Sequence, residues 1–450
     1  MTTTAIILAA GQGTRMNSDL PKVLHEIGAA PLLAHVLQAA AAVEPARMIV
    51  VTGHGAAAVE AAVAKFAPMA ECVLQEEQRG TGHAVLAAKP MLGGKTGDAI
   101  VLFGDTPFIR PETLAKMVEA RAAHDIVVLG FEPADPGRYG RLVTKGESLE
   151  AIVEWKDADE ATRAIKLCNS GVIAADLNVM LDLLSAADNN NAAGEIYLTD
   201  IVSLARKRGL SATTVLCDAT ETLGINTRAE LAKAEAISQA NARAEALENG
   251  VGLVAPDTVH FAFDTYISRD AIVEQQVIFG LGVTVENGAR IRAFSHLEGA
   301  QVSMGAVVGP YARLRPGTEL AEFVKVGNFV EIKNAIIADG AKVSHLSYIG
   351  DAEIGRSTNV GAGTVTCNYD GVFKHRTVIG ENCFIGSNTM LIAPVTLGDE
   401  SMTASGSVIT RDVPEAALAI GRARQDNKLG LARRMFEKLK NAKEKLGKGS

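Results

Sequence analysis

Two groups of residues have types and spacings that could do chemistry. The first lies near the amino terminus, in Leu8-Ala9-Ala10-Gly11-Gln12-Gly13-Thr14-Arg15-Met16. Gly11 and Gly13 allow a backbone to approach a ligand closely and aim N–H groups at phosphate. The segment is neither a three-glycine dinucleotide fingerprint, because Met16 stands where the third glycine would fall, nor a P-loop. Arg15 and Lys22 are cations suited to a polyphosphate. Gln75 and Arg79-Gly80-Thr81-Gly82-His83 form a second polar, glycine-bearing loop. Gly104-Asp105 offers a carboxylate that suits either a Mg²⁺ ligand or a turn cap. The second group lies near residue 330: Arg315, Glu331, Lys333, His345, Tyr348 and Asn359. His345 is either a general base or a structural histidine, and a carboxylate such as Glu331 is the usual support for a base.

The elements that must position these groups differ between the two halves. Up to about residue 226, short aliphatic runs (Ala5–Ala9, Met48–Thr52, Cys72–Gln75, Ala99–Phe103, Ile126–Phe131) alternate with helical stretches (Pro31–Val43, Ala56–Phe66, Gly82–Pro90, Pro111–His124). That order predicts a mostly parallel sheet covered by helices, with ligands beyond the carboxyl ends of the strands. The loops after Leu8, Gln75 and Phe103 are therefore the ones expected to hold a site. Thr227-Arg-Ala-Glu230 is a capping box. It opens a helix, Thr227–Asn249, read as a connector and ended by Gly250.

From residue 251 the apolar period is six. Ile267, Val273, Phe279, Val285, Ile291 and Leu297 form one run, Val302 to Ile332 a second, and Ile379 to Ile409 a third. Neither a helix nor a flat strand repeats at six. Short rungs winding around a triangular prism do, with each aliphatic side chain stacked inside on the coil below. Thr364–Arg376 breaks the period and predicts a loop thrown out of the prism.

Composition narrows the function classes. The chain has 450 residues, 48% hydrophobic and 21% charged, with a net charge of −8. That balance argues against a nucleic-acid binder. The exception is the tail 422–450, where ten Lys/Arg face three Asp/Glu. It is either a solvated helix end or a basic arm over an anionic ligand. Five scattered cysteines without a CxxC pair predict reduced thiols and a cytoplasmic protein. No run of about 20 apolar residues predicts a membrane span, and no secretory leader is evident. His296, His345 and His375 lack metal-site spacing.

Leu8–Met16, Pro21-Lys22-Val23-Leu24, Gln75, Gly80-Thr81-Gly82, Gly104-Asp105-Thr106-Pro107, Tyr139-Gly140-Arg141 and Asn169-Ser170-Gly171 together resemble the sugar-1-phosphate nucleotidyltransferases. With the hexapeptide half behind them, the whole chain resembles the bacterial family of bifunctional N-acetylglucosamine-1-phosphate uridyltransferase/glucosamine-1-phosphate N-acetyltransferases. The resemblance implies an α/β chain. Residues 1–226 would form a Rossmann-like nucleotidyltransferase domain and 227–250 a linker helix. Residues 251–421 would form a left-handed parallel β-helix acetyltransferase domain, with 422–450 a basic tail.

By that resemblance, Leu8, Ala9, Ala10, Gly11, Gln75, Gly80 and Thr81 bind the uridine and phosphates of UTP. Gly140, Glu154, Asn169 and Asn226 hold N-acetylglucosamine, Asp105 and Asn226 hold Mg²⁺, and Arg15 and Lys22 steady the triphosphate. In the second half, Arg315 and Lys333 would bind the phosphate of glucosamine-1-phosphate, and Tyr348 and Asn359 its sugar. His345, supported by Glu331, would take the amine proton as acetyl-CoA is attacked, with the Ala362 N–H facing the oxyanion. Asn368, Tyr369, Ser387, Ser405 and Arg422 match positions lining substrate or acetyl-CoA, Ser405 standing where the family commonly has Ala. The family is a homotrimer with acetyl sites in the clefts between subunits. The stretch 226–315 looks about one 18-residue coil shorter than in longer relatives. Two rivals remain: a pyrophosphorylase with a regulatory prism, and a non-catalytic assembly subunit of the same architecture. The Glu331/His345/Tyr348/Asn359 set argues against the first, and the presence of Arg15, Lys22 and Asp105 against the second.

Overall fold

A computed structural model describes residues 2–92, 94, 96–191 and 194–447. It separates into two compact units. One holds the chain up to Glu248 with His260–Thr265 and Phe279–Leu281; the other holds Asn249–Val259, Tyr266–Ile278 and the chain from Gly282 onward. Among the described residues, no helix is long and apolar enough to cross a membrane.

The first unit is built on a mixed, mostly parallel sheet. Its main path runs Ala212–Leu216, Ile126–Phe131, Cys168–Asp176, Asp98–Phe103, Thr3–Ala9, Arg47–Thr52, Glu71–Leu74. The aliphatic run Thr3–Ala9 is buried at every position because it lies mid-sheet with helices on both faces. Its register pairs Leu8 with Phe103 and Ala9 with Thr52, and Thr52 in turn with Leu74. The carboxyl ends of these strands are thereby level, and Ala10, Gln75 and Gly104 leave the sheet side by side. Cys168–Asp176 runs antiparallel between two neighbours, with an irregularity between Asn169 and Ile173. A hairpin, Arg141–Lys145 with Ser148–Val153, joins the sheet at Cys168. The alternating pattern had not marked this hairpin or the antiparallel strand.

The helix Arg228–Glu248 groups with the first unit. Its Ala234 and Leu231 pack on Ile27, Leu32 and Ile225. Glu235 accepts the Gly28 N–H at 2.8 Å, and Gln239, buried, exchanges bonds of 2.7 and 2.9 Å with the backbone of Phe261. The stretch read as a connector is thus fastened along its length by polar groups as well as by a small apolar face.

The second unit is a parallel β-helix of short rungs. Along one face the register runs Val308–Val326–Val343–Val360–Ile385–Thr403–Ala419. Along another it runs Leu320–Ile337–Ile354–Ile379–Leu397. The residues at six-residue spacing within this unit are buried. The interval between stacked partners widens from 17 residues between Val326 and Val343 to 25 between Val360 and Ile385, because Asn368–Arg376 leaves the coil; the excursion expected from Thr364 starts later, since Val365–Cys367 forms a rung paired with Met390–Ile392. Within that excursion Tyr369 and Lys374 form an antiparallel bridge. Three aromatic residues at successive corners, Phe294, Tyr311 and Phe329, have φ of 60°, 57° and 55°. Their rings stack at 4.9 and 5.3 Å while remaining about half exposed.

The stacked interior predicts a specific cost. Ile332, fully buried between Leu314 and Ile349, should lose about 2–5 kcal/mol of stability on Ile332→Ala, read by urea unfolding. A change within about 0.5 kcal/mol, the range of surface substitutions, would contradict the inward stacking.

Candidate active sites

At the level strand ends of the first unit lies a cleft of about 270 Å³. Leu8, Ala9, Ala10, Gly11, Lys22, Gln75, Gly80, Thr81 and Asp105 line it, all residues singled out from sequence. Val23, Gln78, Ala84, Phe103 and Glu195 line it as well and were missed. Gln78 donates to the Ala10 carbonyl at 2.7 Å, tying the two glycine-bearing loops together. Its place in the loop after Gln75 was the available signal. Gly80 has φ of 104°, and a Cβ there would meet the Ile196 carbonyl oxygen at 2.6 Å, so that turn requires glycine. Thr81 turns its hydroxyl toward the Leu198 N–H, which donates to it at 3.1 Å.

Two oxygen donors meet two cations at one edge of the cleft. Lys22 Nζ donates to Asp105 Oδ2 and, at 3.0 Å, to Asn226 Oδ1. Arg15 Nη2 donates to the same Asn226 oxygen at 2.8 Å. Asn226 is far away in sequence, and the capping box brings it here. Glu230 Oε2 accepts the N–H groups of Asn226 and Thr227 at 2.7 and 2.9 Å, and the Thr227 hydroxyl accepts the Glu230 N–H at 3.2 Å. The Ile225 N–H donates to the Asp105 carbonyl at 3.0 Å. These bonds fix Asn226 and Asp105 as a pair. A carboxylate oxygen and an amide oxygen are hard donors of the kind Mg²⁺ takes, and here the Lys22 ammonium lies between them.

Gly140, Glu154 and Asn169 also come together. The Asn169 N–H donates to the Gly140 carbonyl at 2.9 Å, and a Cβ on Gly140 would lie 3.4 Å from the Glu154 carboxylate. Arg141 is fully buried and binds the carbonyls of Gly137, Tyr139 and Arg163. It therefore clamps the loop that presents Gly140. Burial pushes the Glu154 carboxyl above the usual carboxylate range. The Thr199 hydroxyl, at 3.4 Å, opposes that shift, and Asp157 and Asp200 add to it.

The second unit distributes its candidates by register. Arg315 Nη1 binds Glu331 Oε1 at 2.8 Å. His345 Nδ1 lies 2.9 Å from Asn328 Oδ1. Glu331 was expected to support His345, but the pairing places Glu331 beside Tyr348 and Asn328 beside His345. The ring's partner is therefore Asn328. One coil of 17 residues separates Asn328 from His345, so coil arithmetic alone could have found it. Lys333 has the Lys374 ammonium against it, which pulls the Lys333 amine below its usual range. Lys374 lies in the thrown-out loop and was missed. Asn368 donates to Asp351, which also accepts from Asn334 at 2.6 Å. A Cβ on Gly350 would meet the Tyr348 hydroxyl at 2.5 Å and Asn368 Nδ2 at 2.9 Å, so those two side chains share one spot. Tyr369 is exposed, its hydroxyl donating to the Gly371 carbonyl at 2.5 Å.

A column continues below His345. The Gly363 N–H reaches the His345 carbonyl at 3.4 Å, and Asn388 donates to the Ala362 carbonyl at 2.7 Å. A Cβ on Gly361 would meet the Ser387 nitrogen at 2.6 Å, one on Gly386 the Ser405 nitrogen at 2.6 Å, and one on Gly406 the Arg422 Cδ at 3.8 Å. Residues 345, 362, 387, 405 and 422 thus follow one another across successive coils. Asn359 is stacked between Lys342 and Phe384.

Residues 5–170 match the MobA-like NTP transferase domain, and residues 376–411 match the bacterial transferase hexapeptide model of six repeats. Relatives described as "Bifunctional protein GlmU" align over nearly the full length. One from Ruegeria sp. (strain TM1040) is 63% identical over 100% of both chains. One from Jannaschia sp. (strain CCS1) is 61% identical over 98% of this chain and 97% of the relative. One from Paracoccus denitrificans (strain Pd 1222) is 62% identical over 97% and 98%.

The electrostatics of Glu154 can be checked by ¹³C NMR of its carboxyl. It should titrate above the ordinary carboxylate range, and higher still in Thr199→Ala, which removes a bond to the ionised form. The folded pKa is raised, so stability from this group is fully present below the unfolded pKa and declines as pH rises through the folded one. Titration at the ordinary carboxylate pH in both proteins would contradict this environment.

Proposed function

Since the chain belongs to the bifunctional GlmU family, we propose that its two sites make UDP-N-acetylglucosamine in two steps. The second unit transfers acetyl from acetyl-CoA to glucosamine-1-phosphate. The first unit then transfers uridylyl from UTP to N-acetylglucosamine-1-phosphate and releases pyrophosphate. The observation that carries the reading is the convergence of Lys22 and Arg15 on the Asp105 and Asn226 oxygens at the strand ends.

In the first site, the backbone of Leu8–Gly11 with Gln75, Gly80 and Thr81 holds the uridine and its phosphates. Gly140, Glu154, Asn169 and Asn226 hold the sugar, orienting its phosphate oxygen for in-line attack on the α-phosphorus. Such transfer needs positioning and charge neutralisation rather than a covalent nucleophile. Arg15 and Lys22 meet the charge of the departing pyrophosphate. Asp105 and Asn226 would hold Mg²⁺, which when bound supplies neutralisation of phosphate charge.

In the acetyl site, Arg315 and Lys333 take the sugar phosphate, and Tyr348 and Asn359 the sugar. The amine nitrogen attacks the thioester carbon, His345 accepts the amine proton, and CoA leaves as the thiol. Asn328 holds the His345 ring, leaving Glu331 to align Arg315. The Ala362 N–H faces the oxyanion, and Asn368, Tyr369, Ser387, Ser405 and Arg422 line the acetyl-CoA track. A contact through the backbone at Ser405 tolerates the change from Ala. The exposed aromatic column Phe294–Tyr311–Phe329 supports burial of one side of the prism in a homotrimer. The five unpaired cysteines support a cytoplasmic location. Boundaries near 226, 250 and 421 divide the catalytic, linking, catalytic and tail segments.

The two activities should separate by mutation. Asp105→Ala should abolish uridylyl transfer and spare acetyl transfer. His345→Ala should lose acetyl transfer about 10²–10⁴-fold and spare uridylyl transfer. Normal Mg²⁺-dependent UTP turnover in the first variant, or acetyl transfer within a few-fold of wild type in the second, would overturn the corresponding assignment.

A further inference from the structure

The position between Asp105 and Asn226 has an occupant of its own. Lys22 Nζ bonds both oxygens, and the Lys22 and Asp105 side chains are only 15% and 17% exposed. The backbones that carry these oxygens are held next to each other: the Ile225 N–H donates to the Asp105 main-chain carbonyl, and Glu230 accepts the Asn226 N–H, while the Asn226 side-chain amide donates to the Gly224 carbonyl at 3.2 Å. The Lys22 stem lies against Gly13, where φ is 65° and a Cβ would meet Lys22 Cβ at 2.5 Å. Glycine at 13 therefore lets the stem reach inward. The ammonium end, by contrast, is held among the described residues by the two oxygens alone.

We propose that Lys22 is an internal counter-cation that fills the divalent-cation position between Asp105 and Asn226 until a nucleoside triphosphate draws its ammonium onto phosphate. This rests on the uridylyl-transfer reading above. Two cations cannot share one pair of oxygens at contact distance without strong repulsion. Entry of the divalent cation therefore requires Lys22 to leave, and Lys22 leaves for a better anion. The triphosphate is that anion, because phosphate oxygens accept charge-assisted bonds from ammonium. Metal and nucleotide are then coupled through Lys22, and each strengthens the other by the same factor. Without nucleotide, apparent metal affinity is reduced by the fraction of molecules in which Lys22 is away. The arrangement keeps the carboxylate neutralised in the empty enzyme and reserves the cation site for the loaded one.

The test uses the full chain and Mn²⁺ as probe, titrated calorimetrically with and without the α,β-methylene analogue of UTP. Lys22→Met keeps the stem and removes the charge. Lys116→Met removes an exposed ammonium elsewhere on the first unit. Lys22→Met should bind Mn²⁺ about tenfold or more tightly than wild type without the analogue, tenfold being the shift for about 10% open molecules. The analogue should then tighten Mn²⁺ binding less in that variant, by the same factor, and Lys116→Met should stay close to wild type. Equal gains in the two variants would reduce the effect to general charge and overturn the proposal. So would unchanged Mn²⁺ affinity in Lys22→Met, with the metal reading intact if wild type binds Mn²⁺ in the presence of the analogue. Absence of Mn²⁺ binding in every protein and condition would overturn both. Should Lys22→Met fail to fold, ¹⁵N-lysine NMR of wild type gives an independent reading. The Lys22 ammonium signal, slow to exchange in the free protein, should move when the analogue is added, and an unmoved signal overturns the proposal.

Discussion

Parallel pairing in strict register is the constraint on which both sites rest, because it brings like ends of strands and like positions of coils together. In the first unit, Leu8 pairs with Phe103 and Ala9 with Thr52. The polar residues that follow these strands have no freedom to stagger, so the loops at 10–13, 75–81 and 104–105 converge on one cleft. In the second unit the same rule acts along the coil axis. A residue in most coils meets the one 17 or 18 positions later, and the 25-residue interval goes with expulsion of the loop 368–376. Register thus decides that Asn328 meets His345 and that Glu331 meets Tyr348.

Charge within this frame is compensated locally. Asp105 is matched by Lys22, Glu331 by Arg315 and Asp98 by Arg121, the last pair buried at 2.6 Å. Glu154 is an exception: it is buried, with a hydroxyl partner at 3.4 Å and acidic neighbours, and its proton affinity rises accordingly. Lys333 and Lys374 are the cationic counterpart, two ammonium groups pressed together beside Arg315. Groups of like charge held close together favour a ligand of opposite charge. Asp370, in the expelled loop, shows the opposite arrangement. His375 and the N–H groups of Phe373 and Val372 hold its carboxyl down at about 2, which keeps the loop folded on itself.

Much of this was legible in the sequence wherever a local pattern had a single physical meaning. The six-residue spacing admits only inward stacking, and the strand–helix alternation placed the first cleft at the right strand ends. The capping box Thr227–Glu230 formed as read. What escaped was set by tertiary pairing. The antiparallel strand Cys168–Asp176 and its hairpin follow from no alternation, and the polar fastening of the helix Arg228–Glu248 is invisible in its weak apolar face. Glu331 was matched to His345 by residue type, whereas the coil register assigns the imidazole to Asn328. Glu195 joins the first cleft from a distant loop with no motif to mark it.

One chain carries two activities that act in sequence. A coupled assay with glucosamine-1-phosphate, acetyl-CoA, UTP and Mg²⁺, following free thiol and pyrophosphate together, tests it most directly. Thiol should appear without UTP, and pyrophosphate only after acetyl-CoA is added. Pyrophosphate formed without acetyl-CoA, with no thiol released, would contradict the account and leave the β-helix a structural or regulatory partner of a single transferase.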